Sequence, residues 1–372
     1  MKTWRDIINA TNAQIITWAE KQSWAAAMAA CGQDSKWHAE GDVWTHTKMV
    51  WDEVAKLAEY RALDRLSQLK LLFTALLHDC GKPATTEIDP DSGRTRSPKH
   101  SIVGAALARK VLRDLQVDLN TREEIVHLVR YHGRPPYLLE KGHEVQEVIS
   151  LSWLLNNRLL YLFSIADTRG RKAEETSRPE EKLHFWKIIA EENQCFERAY
   201  SFANDHARFL FYRKELSSLH YIPREDYKCT ATLMSGLPGS GKDTWLQKHK
   251  PGLPVVALDQ IREDLDIDAT ENQGKVIQAA REEVRGHLRA GRDFAFNATN
   301  TMQQTRKRWI DLFADYGARI EIVYIEPTIS NILERNRRRE QRVPEKVIHH
   351  LLEKLEPPQI TECHGLTLVG EV

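Results

Sequence analysis

The segment Gly236-Leu237-Pro238-Gly239-Ser240-Gly241-Lys242 constrains this chain more than any other. It follows a β-prone run, KCTATLMSG, and precedes a helix-forming stretch that opens at Lys242. A strand that turns through a glycine-rich loop into a helix begins a strand–helix–strand unit, so this part of the chain should build a parallel sheet with helices on its faces. LPVVALD, DFAFNATN and ARIEIVYIE read as three further strands, with helices between them. Within the loop, glycines let successive backbone N–H groups converge. The helix N-terminus adds partial positive charge and Lys242 a full one, which together make a cradle for phosphate oxygens. Gly236, Gly239, Ser240, Gly241, Lys242, Asp243 and Thr244 are the residues expected around a nucleotide.

The residue after the lysine is Asp243, where a Ser or Thr ordinarily ligates Mg²⁺. Thr244 lies about 100° farther around the helix, out of position to substitute. Asp243 offers a hard oxygen to Mg²⁺ directly or through water, while adding negative charge beside the phosphates. Asp259 ends the second strand with Arg262 three residues on, a carboxylate placed to take a proton from an attacking hydroxyl or to cap the next helix. NILERNRRREQRVPEKV reads as one helical stretch on which Arg335 and Arg339 share a face. Such arginines either close over transferring phosphate or form a solvated basic face. Together, GLPGSGKD, Asp259-x-x-Arg262 and RNRRREQRVP resemble the 5′-hydroxyl polynucleotide kinases of phage and bacterial end healing, over most of residues 226–366. That resemblance implies Lys242 on the phosphates and Asp259 as general base. It also implies Arg262 on the acceptor-side phosphate, Arg335 and Arg339 as lid residues, and ATP or another NTP with Mg²⁺.

The chain changes character near Pro223. Residues 1–222 read almost wholly helical and residues 223–372 as α/β, so two domains are expected, 1–222 and 223–372. In the first, Val43, Thr47, Val50, Val54 and Leu57 make one helical stripe. SQLKLLFTALLHDCG is a second helix stopped by Gly81, and KHSIVGAALARKVLRDL a third. Thr121 with Glu124 forms a capping box opening a fourth that runs to His132. VISLSWLLNNRLLYLFSIAD reads as one long central fifth helix, and residues 181–220 as one or two amphipathic helices. LHYIPRED is the expected linker.

Several of the 15 histidines fall in this helical part in an informative order. His78-Asp79 ends an apolar helix, His46 lies at the edge of a buried stripe, and Asp167 lies late in the apolar run. Such groups are costly inside helices of this kind unless paired or metal-bound. The run H…HD…D, with HDCGKP and ADTRGR, resembles the HD phosphohydrolase superfamily over roughly residues 40–172. The resemblance implies His46, His78, Asp79 and Asp167 as metal ligands, His100 and His132 as ligands of a second metal, and Lys82 near the substrate phosphate. Arg169, close after Asp167, is expected to help Lys82 offset the negative charge. His127, about 140° from His132 around a helix, is expected to be structural. Mixed imidazole and carboxylate ligation suits one or two ions of the Mn, Fe, Co, Ni or Zn class.

Composition narrows the remaining classes. Of 372 residues, Lys+Arg and Asp+Glu each number 53, which argues against a polybasic nucleic-acid binder and leaves local clusters such as Arg306-Lys307-Arg308. Cys31, Cys80, Cys195, Cys229 and Cys363 are scattered without a CxxC pair, against a disulfide framework or cysteine zinc site. The first residues lack a leader pattern, and no uninterrupted apolar run reaches about 18 residues, so a cytoplasmic protein that spans no membrane is expected. As a whole the chain resembles the bacterial bifunctional enzymes that join an HD phosphohydrolase to a polynucleotide kinase. That resemblance implies RNA or DNA ends as substrates: phosphorylation of a 5′-hydroxyl and removal of a 2′,3′-cyclic or 2′-phosphate before a ligase acts. The other readings are an HD nucleotidase fused to a small-molecule kinase, and a ligand-sensing or RNA-tethering protein with a degenerate HD site.

Overall fold

The computed structural model describes residues 1–140, 142–172, 179–268, 271, 273–339 and 341–370. The chain divides into two compact units, Met1–Ser201 and Phe202–Val372. The division falls ahead of the 222/223 boundary read from the sequence. The helix Asp205–Arg213 packs with the second unit through Phe209, part of its core, and Arg208, which donates to the carbonyls of Cys363 and His364.

Among the described residues, the first unit is helical apart from a hairpin of two two-residue strands. In order it contains α1 (Trp4–Ile8), α2 (Asn12–Ala19), α3 (Ser23–Ala29), α4 (Val43–Lys56), α5 (Ala58–Arg61) and α6 (Arg65–Leu77). Then come β1 (Glu87–Ile88) and β2 (Thr95–Arg96), α7 (His100–Asp114), α8 (Leu119–Tyr131), α9 (Glu144–Leu151), α10 (Asn157–Arg169) and α11 (Pro179–Glu192). Helices α4, α6, α8 and α10 pack on one another, burying Val50, Val54, Leu72, Leu76, Leu128, Leu160 and Phe163.

Two glycines set how closely these helices approach. A Cβ on Gly170 would sit 2.8 Å from Val50 N and Cγ2, so only glycine lets the end of α10 meet α4. A Cβ on Gly81 would lie 2.2 Å from the His100 carbonyl oxygen and 2.5 Å from Gly104 N. Gly81 is therefore not the stop of the second helix, which ends at Leu77; it is where the following turn presses against α7.

Two further expectations change. The expected capping box is absent: Asp118 caps α8, accepting from Thr121 N, while Glu124 pairs with Lys70 at 2.6 Å. The long fifth helix is two helices. Asn156 breaks it by accepting the N–H groups of Arg158 and Leu159, and Asn157 donates to the Val148 and Cys195 carbonyls.

The second unit follows α12 (Asp205–Arg213) with β3 (Cys229–Ser235), α13 (Lys242–His249), β4 (Val255–Ala257), α14 (Leu258–Asp264) and α15 (Gly274–Arg289). The rest is β5 (Phe294–Asn297), α16 (Gln303–Asp315), β6 (Ala318–Ile325), α17 (Ile329–Arg338), α18 (Glu345–Glu353) and β7 (Gly365–Val369). The sheet is parallel in the order β4-β5-β3-β6-β7, adding the edge strand β7 to the four expected. Strand alternation divides the core. Ala231, Leu233, Ile320 and Ile322 face one helical layer, and Met234, Val323 and Ile325 the other.

Candidate active sites

In the first unit, side chains from four helix ends and one helix interior converge. His46 comes from α4, His78 and Asp79 from the end of α6, His100 from the start of α7, His132 from the end of α8 and Asp167 from α10. Their donor atoms form two triads, His46/His78/Asp167 and Asp79/His100/His132, each with its ligand atoms within 4.8 Å of one another. Asp79 faces both. Its Oδ2 is 3.2 Å from His78 Nε2, and its Oδ1 is 3.5 Å from His100 Nε2 and 4.0 Å from His132 Nε2.

The backbone fixes the direction of each ring. His78, His100 and His132 direct Nδ1 to the carbonyls of Ala75, Ser97 and Val129 at 2.9, 2.9 and 2.8 Å. A carbonyl only accepts, so Nδ1 carries the hydrogen and Nε2 keeps its lone pair for the cage. His46 is set between two carboxylates instead: its Nδ1 lies 2.9 Å from Glu40 Oε1, and its Nε2, while protonated, donates to Asp167 Oδ1 at 3.0 Å. His78 Nε2 is buried with no hydrogen-bond partner, so a divalent cation fits where it points. Four imidazoles and two carboxylates facing inward match the donor sets of Mn, Fe, Co, Ni or Zn ions.

The charges agree with that fit. Burial alone would raise Asp79, but Lys82, with Nζ 2.7 Å from Oδ2, and the histidines hold it well below the usual carboxylate range. Burial likewise opposes ionisation of Asp167, and Arg171 and His46 outweigh it. Burial lowers His46, yet Asp167 and Glu40 overcome this and raise it to about 9. A proton there balances the carboxylates, and a divalent cation would compete with it.

The expected Lys82 stands at the cage, also donating to Gln33 at 2.6 Å. Arg169 does not. It turns to Glu180 at 2.9 Å, and Arg171 takes its place, 3.1 Å from Asp167 Oδ2. Arg171 lies just past the C-cap Gly170, where the chain has left α10, whereas Arg169, the last helical residue, is about 200° around the helix from Asp167. His127 donates to the Leu154 carbonyl at 3.0 Å, outside both triads. The sequence reading missed Glu40, His38 and Arg171. Glu40 accepts from Lys172 N at 3.1 Å and lies 2.8 Å from His38 Nδ1. The i+4 spacing from Asp167 was the available signal for Arg171, while Glu40 and His38 lie before α4 with no period to place them.

In the second unit, Gly236, Gly239 and Gly241 all adopt positive φ, so the backbone folds into the tight loop expected. Lys242 Nζ donates to the carbonyls of Gly236 and Leu237, both at 3.1 Å. Burial lowers this lysine to about 8, opposed by Asp243 and Asp259, while Arg339 adds to the lowering. The Ser240 hydroxyl is buried without a partner, a donor left over for a phosphate oxygen. Thr244 is exposed on α13.

Asp259 sits in the first turn of α14, whose N-cap is Ala257, so it neither ends β4 nor caps the helix. Arg262 Nη1 lies 2.6 Å from its Oδ1 and Arg262 Nε donates to Gln273. Arg335 donates to the Ser240 carbonyl at 3.2 Å. Arg339 does not share its helix face. α17 ends at Arg338, and the Asn336 side chain clamps Val343, its Nδ2 donating to the Val343 carbonyl and its Oδ1 accepting from the Val343 N–H. Arg306, expected in a basic cluster, is fully buried. It pairs with Glu362 at 2.8 Å and donates to the Asn300 and Glu356 carbonyls.

Residues 43–158 match the HD domain family and residues 232–358 the AAA domain family. The chain is 33% identical over 145 residues to a multifunctional CCA protein of Halorhodospira halophila, covering 38% of this chain and 32% of that protein. It is 42% identical over 64 residues to a CC-adding tRNA nucleotidyltransferase of Thermus thermophilus, covering 17% and 15%. The chain thus spans a third or less of these curated relatives. Similar solved structures include a sugar kinase from Janibacter sp. (18% identity, TM-score 0.30, 38% of this chain and 85% of that one). A gluconokinase from Sinorhizobium meliloti is another (17%, 0.30, 40% and 86%). The chain joins a helical HD domain to a P-loop kinase fold with a five-stranded parallel sheet. Among the described residues, no helix is long and apolar enough to cross a membrane.

Proposed function

We propose that the chain heals broken nucleic-acid strands: its P-loop half phosphorylates 5′-hydroxyl ends, and its HD half hydrolyses 2′,3′-cyclic and 2′-phosphate ends. The two products are the ends that a ligase joins. The observation that carries the strand-end reading is the open acceptor side, where the Asp259 side chain is 77% exposed. A kinase that encloses a small acceptor buries its base, whereas a polymer end needs this access. One relative acts on tRNA by its name, which favours RNA. Five buried free cysteines agree with a reducing, cytoplasmic setting.

In the kinase half, Lys242 and the loop amides hold the nucleotide phosphates. Asp259 takes the proton from the attacking 5′-hydroxyl, and Arg262, paired with that carboxylate, orients it and meets the acceptor-side phosphate. Arg335 and Arg339 offset charge that builds on the transferring phosphoryl group. Mg²⁺, bound with the nucleotide, neutralises phosphate charge.

In the HD half, His46, His78 and Asp167 would hold one divalent cation and Asp79, His100 and His132 a second. These ions supply Lewis acidity and a nucleophile at neutral pH when bound. Lys82 and Arg171 keep the carboxylates ionised and offset the charge of the substrate phosphate.

Acceptor competition tests the reading. A 5′-hydroxyl oligonucleotide should be phosphorylated far better than the matching nucleoside, and a 2′,3′-cyclic phosphate should be opened on RNA as well as on mononucleotides. Equal or better use of nucleosides would move the chain to the nucleotide-metabolising reading.

A further inference from the structure

We propose that Asp243 and Asn297 form a charge-transposed cation site, with the carboxylate on the phosphate-loop helix and the neutral partner on the strand. The assignment rests on the kinase reading above. In the usual P-loop arrangement, Mg²⁺ is held by a Ser or Thr following the lysine and by an aspartate on a strand. Here the first position is Asp243. Asn297 is the last residue of β5, which lies directly beside the phosphate-loop strand with Met234 as its register partner. The pair carries the same total charge as the usual one, with its location exchanged.

The contacts make this a built pair. Asn297 Nδ2 donates to Asp243 Oδ1 at 2.6 Å. Reversing the amide would set two oxygens against each other, so the carboxylate fixes which end of Asn297 faces it. Asn297 is 8% exposed and its Oδ1 is buried without a hydrogen-bond partner. An orphaned buried acceptor beside a carboxylate calls for a cation or for water attached to one. The bond to Asn297 engages one carboxylate oxygen of Asp243 and leaves Oδ2 available.

The platform beneath the pair is rigid. Gly236 N donates to Thr299 O at 2.9 Å, the Ser235 hydroxyl to Asn300 O at 2.9 Å, and Asn300 Nδ2 to Met234 O at 2.8 Å. These bonds tie the residues just after Asn297 to the foot of the loop. Asn297 is thus a positioning residue that orients Asp243, and Asp243 is the ligand.

Calorimetric binding of ATP to the full chain, with and without Mg²⁺, tests the assignment without turnover. The readout is the ratio of the two dissociation constants, with thermal unfolding recorded for every variant. Asp243→Thr should remove the Mg²⁺ advantage, about tenfold or more. Asn297→Leu, which removes the amide that orients Asp243, should also reduce it. The double variant Asp243→Thr/Asn297→Asp rebuilds the usual arrangement and should recover a ratio near that of the wild type. A Mg²⁺ advantage that survives Asp243→Thr, or a double variant no better than the single ones, overturns the transposed site and leaves the kinase reading standing. Failure of the wild-type chain to bind ATP with Mg²⁺ overturns the kinase reading and the site with it.

Discussion

Replacing Gly81 with alanine should empty one half of the HD cage and spare the other. The added Cβ would stand 2.2 Å from the His100 carbonyl oxygen, and an ordinary carbon–oxygen contact needs about 3.3 Å, so the first turn of α7 must retreat by roughly 1 Å. Both obstructing groups, His100 O and Gly104 N, are backbone, so no side-chain rotation relieves the clash. His100 Nε2 stands 3.5 Å from Asp79 Oδ1 and 3.4 Å from His132 Nε2, and a shift of that size takes it out of ligating range of a shared cation. His46, His78 and Asp167 come from α4, α6 and α10 and are untouched. The overpacking should cost about 1–3 kcal/mol, a fall in melting temperature of roughly 3–10 °C. Metal analysis of the purified variant should give one divalent ion per chain where the wild type gives two, with the loss assigned to the Asp79/His100/His132 triad. A variant that keeps both ions with an unchanged melting temperature would refute the packing argument.

Other perturbations read different parts of the two sites. Glu40→Gln takes the carboxylate from His46 Nδ1 and should weaken metal affinity about tenfold, measured by competition with a chelator; unchanged affinity would deny Glu40 a role in aiming that ring. Lys242 is lowered to about 8 by burial, and phosphates would raise it again. ATP binding near pH 8.5 should therefore take up a proton, seen as a buffer-dependent enthalpy that disappears at pH 6.5 and in Lys242→Met; a buffer-independent enthalpy at pH 8.5 would contradict this. Glu123, whose burial is outweighed by Arg109 and Arg122, is held at about 2. Its contribution is fully present above its ordinary value of 4.5 and is lost as the pH falls from there toward 2. Acid unfolding should show about 3 kcal/mol lost across that window, with a flatter acid limb in Glu123→Gln.

The cage was legible because polar residues on apolar helices stand out. His46, His78, Asp79 and Asp167 each interrupt a stripe that otherwise buries leucine, valine or phenylalanine, and the phosphate loop announces itself by spacing. What escaped the sequence depends on contacts between distant residues. Both halves of the run from Val148 to Asp167 carry mostly buried apolar residues, so apolar content alone joined them across the break that Asn156 makes by capping α10. Arg306 read as surface charge because its neutraliser, Glu362, lies 56 residues away. Thr121 lost the cap of α8 to Asp118, whose side chain reaches the Thr121 amide first. Asn297 carried no signal at all until β5 was placed beside β3 and its amide met Asp243.

The most direct test of the central claim uses one RNA bearing a 5′-hydroxyl and a 2′,3′-cyclic phosphate, incubated with ATP and divalent ions, with each end mapped separately. The wild type should yield a 5′-phosphate and a free 2′,3′-diol. Lys242→Ala should lose only the first product, and Asp79→Ala only the second. If both variants lost both products, or neither variant lost any, the assignment of one reaction to each site would be contradicted.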